Sequence, residues 1–262
     1  MTRVLGPAAA VFCLALASTA LPLVTSTPAV AQAAQDDQIA TSNGNLTIHP
    51  VHHAGLVLTW NGKRIVADPT SFPPNPQNSG AADFRGANPP DLILITHEHP
   101  DHLSIPTLTE LAGPNTIIVV PQSVYGMLPA ALQAKAKVMK NGERANYAGV
   151  PIEAVVEYNT TREREMYHPK GRDNGYVLTM GGKRVYLAGD TEEAPELKNL
   201  PNIDVAFIPM NLPYTMTVEE AAKWVKDFRP KIVYPYHFMG SDVQKFKTLV
   251  GDASDVRLRK WY

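Results

Sequence analysis

The chain has 262 residues, room for one large domain or two small ones. A formal charge of −1 with 19% charged residues excludes a global basic field that would draw it to nucleic acid or anionic membrane. Hydrophobic residues make up 44%, which excludes a disordered chain, and a single cysteine excludes an intrachain disulfide framework or a cysteine-cage zinc site.

Residues 1–31 read as a secretory signal peptide. Arg3 gives a positive start, Val11 to Leu23 is mostly apolar, and Ala29-Val30-Ala31 fits the small-x-small cleavage rule. An uncleaved anchor is the alternative, but Pro7 and Pro22 bracket a run shorter than a span requires. The protein is therefore expected to be exported, to a periplasm or outside the cell, with no stable membrane partner. Cleavage would remove Cys13, leaving core packing and metal binding as the means of stabilisation. Residues 32–45 are polar and read as a linker, with the folded domain spanning 46–262.

Within that domain, Leu46–His49 and Gly55–Trp60 read as strands. Asn61-Gly62 suits a two-residue hairpin turn with positive φ at both central positions, and Lys63–Ala67 returns. Thr70–Pro90 is a long loop rich in Pro, Asn, Gly and Ser, a lid, an interface or a linker. Asp91–Ile95 is an apolar run without alternation, as in a strand buried on both faces. Ser104 caps a helix through Leu111, Thr116–Val120 is a strand, and Pro121–Lys137 reads as one or two helices broken near Pro129. The second half repeats the alternation: strands at Ile152–Tyr158, Tyr176–Met180, Arg184–Leu187, Val205–Ile208 and Ile232–Tyr236, and a last helix at Val243–Leu249. Thr217 and Glu220 form a capping box for a helix whose apolar face carries Val218, Ala221, Ala222, Val225 and Phe228. Hairpins followed by strand–helix alternation in each half predict an α/β sandwich with a site between the halves.

Chemistry concentrates at His97-Glu98-His99-Pro100-Asp101-His102, directly after a strand. His97, His99, Asp101 and His102 are four potential metal ligands with no packing reason to gather there; imidazole with carboxylate suits zinc, manganese or iron. His97 and His99 project to one side of an extended backbone, and a turn at Pro100 can redirect Asp101 and His102, so one segment can serve two metals.

His-x-His-x-Asp-His resembles the signature of the metallo-β-lactamase superfamily. Three later positions agree in order and context: His168 before Gly175–Leu178, Asp190 in Leu187-Ala188-Gly189-Asp190-Thr191, and His237 after Val233–Tyr236. His53-Ala54, Tyr158-Asn159-Thr160 and Thr215-Met216-Thr217 are most similar to the ascorbate-6-phosphate lactonase-like branch. The resemblance runs from about Leu46 to the C-terminus. It implies an αββα sandwich of two mixed β-sheets with helices on the outer faces. It also implies two divalent ions, zinc first and manganese or iron as alternatives. One would be held by His97, His99 and His168, the other by Asp101, His102 and His237, with Asp190 bridging. A metal-bound hydroxide, oriented by the catalytic Asp101, would then attack an ester, lactone, amide or phosphoester bond of a small-molecule substrate. The rival readings are iron-dependent sulfur oxidation on the same fold and a non-catalytic metal-binding or scaffold protein.

Around this centre, Asp68 and His53 are expected to support the ligands from behind. Asn159, Arg162, Arg164 and Tyr214 are candidate substrate contacts; Lys170 and Arg172 also flank His168. Because glutamates interleave with the arginines, a solvated charged loop is the competing reading. The sequence leaves substrate and oligomeric state open.

Overall fold

The computed structural model describes residues 1–2, 36–198 and 200–262. From residue 3 onward, the expected signal peptide lies outside the described residues, as does the linker up to residue 35.

The first half runs β1 (Asp37–Thr41), β2 (Gly44–His52), β3 (Gly55–Trp60), β4 (Lys63–Ala67), β5 (Leu92–Leu94), α1 (Ile105–Leu111), β6 (Ile117–Val120), α2 (Gln122–Met127), α3 (Ala130–Gln133) and β7 (Ala136–Val138). The second runs β8 (Arg144–Tyr147), β9 (Val150–Glu157), β10 (Asp173–Met180), β11 (Lys183–Leu187), β12 (Val205–Pro209), α4 (Val218–Phe228), β13 (Ile232–Tyr236), α5 (Val243–Val250) and β14 (Asp255–Val256). Each half makes one seven-stranded sheet in sequential order, β1 to β7 and β8 to β14. Pairing is antiparallel from β1 to β4 and from β8 to β11, then parallel to the end of each sheet. The Asn61-Gly62 turn has φ of 49° and 71°, the doubly positive geometry expected of that pair.

The sheets pack face to face: Leu46, Ile48, Leu56 and Leu58 meet Tyr176, Leu178, Phe207 and Tyr234 in the central core. The outer faces are covered too. Val66, Ile93 and Ile118 lie with Leu108 of α1 and Val124 of α2, and Tyr186, Ala206 and Val233 with Trp224 of α4 and Phe246 of α5. Leu92 and Leu94 face the inner core and Ile93 the outer one, which is why β5 shows no polar alternation. The architecture is the expected αββα sandwich.

Local signals hold where they are self-contained. Ser104 caps α1 by accepting the Thr107 N–H, and Thr217 and Glu220 make the reciprocal capping box of α4. Trp224 belongs to the buried face of α4, edge-on to Tyr186. Among the described residues, no helix is long and apolar enough to cross a membrane.

Two readings are corrected. The linker predicted to residue 45 gives way at Asp37, where β1 pairs with β2 from Asp37↔Ile48 to Thr41↔Gly44. The stretch looks polar because it is an edge strand whose buried contact is Ile39, while Asp37 accepts from Tyr234 and Arg259. The helical reading of 121–137 ends early: the break at Pro129 is present, but Ala136–Val138 is a strand, because β6 offers it a parallel ladder. The short edge strands β8 and β14 were not anticipated.

Candidate metal centre

The chemical residues gather at the carboxyl ends of strands, where open α/β sheets place ligands. Asp68 follows β4 and His97 to His102 follow β5; His168 lies in the loop from β9 to β10; Asp190 follows β11 and His237 follows β13. The chain bends sharply to present them. His53, Asp68 and His237 have φ of 54°, 42° and 44°, left-handed conformations that non-glycine residues rarely adopt and that cluster at functional sites.

Three groups of ligand atoms converge, each with its atoms within 4.8 Å of one another: His97, His99 and His168; His97, His102 and Asp190; and His53, Asp101, His102 and His237. Asp190 sits between them. Its Oδ2 is 3.2 Å from His237 Nε2, 3.5 Å from His168 Nε2 and 4.0 Å from His97 Nε2, while Oδ1 is 3.4 Å from His102 Nε2. All seven residues expected as ligands are thus brought together, and His53 joins the group of Asp101, His102 and His237.

The imidazoles are aimed from behind. His102 Nδ1 is 2.9 Å from Asp68 Oδ2, and Asp68 also accepts the N–H and hydroxyl of Thr96, both at 2.8 Å. His97 Nδ1 lies 3.0 Å from Thr96 Oγ1 and 2.9 Å from Glu157 Oε1. His168 Nδ1 lies 3.2 Å from the Tyr214 carbonyl. In His97, His102 and His168 the Nδ1 is thus engaged and the Nε2 turns to the centre, the arrangement by which carboxylates and carbonyls orient metal-ligating histidines, while His99 brings its Nδ1 to 3.2 Å from His168 Nε2. Asp68 stands where expected. His53 bonds Asp101 Oδ2 through Nε2 at 2.9 Å and Tyr262 through Nδ1 at 2.8 Å, and stacks on Phe72.

Do these residues fit a metal? The Nε2 atoms of His97, His102 and His237 and Oδ1 of Asp190 are buried without a hydrogen-bond partner. Such atoms are costly unless something pairs with them, and a cation pairs with all of them. The electrostatics agree. Burial, reinforced by neighbouring imidazoles, holds His97 well below the ordinary imidazole range and brings His168 and His53 down to about 4, so these rings are neutral, the ligating form. Burial opposes the charge on Asp190, but His237 and His102 outweigh it and keep the carboxylate well below its usual range. Asp101 is likewise held down against burial by His237 and His53. His102 moves the other way: burial opposes its proton, but Asp190 and Asp68 prevail, so the site favours positive charge at that ring. The donor set fits a metal.

Over the centre lies a cavity of about 440 Å³, lined by His53, His99, Asp101, His168 and Asp190 and walled by Phe72, Pro73, Pro74, Tyr167, Tyr214 and Met239 among others. The 70–90 loop is thus one wall of the cavity, tied down by Thr70 Oγ1 donating to the Pro100 carbonyl. Tyr214 lines the cavity as expected. The other three candidate substrate contacts are placed elsewhere. Asn159 is buried behind His168, donating to the carbonyls of Arg164 and Tyr214. Arg164 is tied to Glu192 and Glu220. Arg162 is exposed and is not among the lining residues. Glu157 is the supporting residue that sequence reasoning missed: as the last residue of an ordinary strand it carries no local signal, and its partners lie in other elements.

A family model described as a beta-lactamase superfamily domain matches residues 47–237. A UPF0173 metal-dependent hydrolase of Pyrococcus abyssi is 30% identical over 219 residues, covering 79% of this chain and 93% of that one. Another, of Polynucleobacter asymbioticus, is 30% identical over 240 residues and 81% of each chain. Among solved structures, a protein of Parabacteroides distasonis provisionally assigned as a metal-dependent hydrolase superposes with a TM-score of 0.78 at 41% identity, over 87% of this chain and all of that one. A metallo hydrolase of Ignicoccus hospitalis shares the fold, with a TM-score of 0.66 at 23% identity over 81% of this chain and 94% of that one. The chain belongs to the metallo-β-lactamase superfamily of metal-dependent hydrolases.

Proposed function

We propose that this hydrolase holds two divalent ions, one by His97, His99 and His168, the other by Asp101, His102 and His237, with Asp190 reaching both. The observation that carries the reading is the convergence of buried, unpaired Nε2 atoms on one central carboxylate. Five imidazoles and two carboxylates without a thiolate suit zinc first, then manganese or iron. Bound there, the ions supply Lewis acidity toward a substrate oxygen and activation of water at neutral pH.

The protein's own groups do the rest. Asp68, Glu157 and the Tyr214 carbonyl hold three imidazoles in the ligating orientation. His53 engages Asp101 Oδ2, leaving Oδ1 to orient the attacking water toward an acyl carbon or a phosphorus. Phe72, Pro73 and Tyr214 wall the approach with apolar and aromatic surface. Among the described residues, no serine, threonine or cysteine lines the cavity, so water is the nucleophile this geometry supports. The substrate is a small molecule with an ester, lactone, amide or phosphoester bond. Export is part of the proposal, supported by the apolar run and the Ala29-Val30-Ala31 site.

Metal analysis of the purified protein tests the core of this reading. About two equivalents in the parent, fewer in His99→Ala, and turnover on a panel of esters, lactones, amides and phosphodiesters are expected. A single equivalent under full loading overturns the dinuclear site; an idle panel overturns the hydrolytic assignment. Cell fractionation with N-terminal sequencing of the mature protein tests export; a cytoplasmic protein retaining Met1 overturns it.

A further inference from the structure

We infer that the part of the substrate occupying the cavity is uncharged and apolar: an ester, lactone or amide with an aliphatic or aromatic group, not one bearing a second anionic group such as a sugar phosphate. The inference rests on the hydrolytic reading above and narrows its substrate class.

It is carried by the walls. Away from the ligand floor the cavity presents Phe72, Pro73 and Pro74 from the 70–90 loop, with Tyr167, Tyr214 and Met239 from three other segments. Its neutral polar groups there are the Asn211 amide and the two tyrosine hydroxyls. No lysine or arginine lines it among the described residues. The cations nearest His168 in sequence are spent elsewhere. Arg164 pairs with Glu192 and Glu220, and Lys170 lies 2.6 Å from Glu196. Arg172 is 2.8 Å from Asp173 and 3.2 Å from Glu98; its charge is felt at His99 and His168, but its side chain does not line the cavity. An anionic group reaching past the floor would meet walls that carry no lysine or arginine and would lose hydration against Phe72, Pro73, Pro74 and Met239, an unfavourable transfer.

A second observation agrees. Tyr214 and Met239 are 43% and 53% exposed, large apolar side chains left open to water at the mouth. Exposed apolar side chains such as Tyr214 and Met239 at an opening mark a surface that gains by covering itself with an apolar partner. The volume is within the range of small-molecule sites. In the reaction, water's oxygen bonds to the acyl carbon and the acyl–oxygen or acyl–nitrogen bond breaks. The acid and the alcohol or amine leave, sharing water's two hydrogens between them.

The test compares p-nitrophenyl acetate, butyrate and hexanoate with mono-p-nitrophenyl adipate, the carboxylate-ended counterpart of the hexanoate, on the metal-loaded protein. Calorimetric binding of N-propylacetamide and N-hexylacetamide is measured in parallel. Burial of a methylene gives up to about fourfold per carbon. The expected results are a kcat/KM at least tenfold higher for hexanoate than for acetate and at least tenfold lower for adipate than for hexanoate. N-hexylacetamide should bind at least fivefold tighter than the propyl compound, and Met239→Ser and Tyr214→Ser should reduce that preference. A flat chain-length series, or preference for adipate, overturns the inference while leaving the hydrolase reading intact. Tighter binding of the hexyl amide with no ester hydrolysed supports the cavity inference and overturns the hydrolytic reading.

Discussion

Glu157 Oε1 lies 2.9 Å from His97 Nδ1 and accepts the Asp190 backbone N–H at 2.7 Å. One buried carboxylate at the end of β9 therefore sets a histidine from the first half of the chain and an aspartate from the second. The contact also explains Gly189: with φ of 68°, it passes so close that a Cβ there would fall 2.3 Å from the Glu157 carboxyl.

Glu157→Gln keeps an Oε1 that can serve both partners, whereas Glu157→Ala removes it. We expect metal affinity to fall about 10- to 100-fold in the alanine variant and by a much smaller factor in the glutamine variant. Competition titration against a chromophoric chelator, with circular dichroism to confirm folding, distinguishes them. Equal losses in both would show that charge, not the shared acceptor, is what matters.

Asp68 accepts two bonds from Thr96 and lies 2.9 Å from His102 Nδ1, all buried. Asp68→Ala removes the acceptor these buried donors share, leaving the Thr96 N–H unpaired and His102 Nδ1 with only the longer contact to Thr96 Oγ1, 3.3 Å. It should cost about 2–4 kcal/mol of stability and weaken the ion held by His102. Urea denaturation of the metal-free and metal-loaded protein separates the two effects; an unchanged midpoint in both would refute the role.

Chelation should lower the melting temperature as well as stop turnover, because ions that bind only the folded state stabilise it by about 2.7 kcal/mol per site at a hundredfold excess over Kd. Zinc should restore both. An unchanged Tm after verified metal removal would argue against a site built by folding.

Asp37 ties β1 to the C-terminal segment, accepting from Tyr234 Oη at 2.7 Å and Arg259 Nη2 at 2.6 Å. Burial opposes its charge, but Arg259 and Tyr234 prevail and hold the carboxyl below its ordinary value. A depressed carboxyl contributes stability that is fully present above its unfolded pKa, near 3.9, and lost as pH falls through the lower folded value. Asp37→Asn should therefore lower stability at pH 7 by about 1.5–3 kcal/mol and flatten the decline below pH 4. Denaturation midpoints from pH 2.5 to 7 measure both; parallel curves for parent and variant would exclude the linkage.

Arg164 is 11% exposed at its side chain, between Glu192 and Glu220. Arg164→Ala leaves Glu192 buried without its cation and should destabilise by about 3 kcal/mol, with little change in the ratio of kcat/KM between substrates. A large change in that ratio at unaltered stability would restore Arg164 as a substrate contact.

Sequence alone determined the elements that carry their own signals. The capped α1 and α4, the Asn61-Gly62 turn and the doubly buried β5 are encoded by neighbours in the chain, so reading along it finds them. The candidate ligand set was legible because His97 to His102 is dense and because His168, Asp190 and His237 follow in an ordered resemblance. Tertiary structure decided the rest. β1, β7, β8 and β14 exist only because a neighbouring strand offers a ladder, and nothing in their own residues demands it. Glu157 became a support for His97, and Arg164 and Asn159 became props rather than substrate contacts, through partners tens of residues away. Residue type fixes which chemistry is available. Which charges meet the cavity and which are neutralised beside it depends on contacts between distant segments, and these form only when the two sheets close on each other.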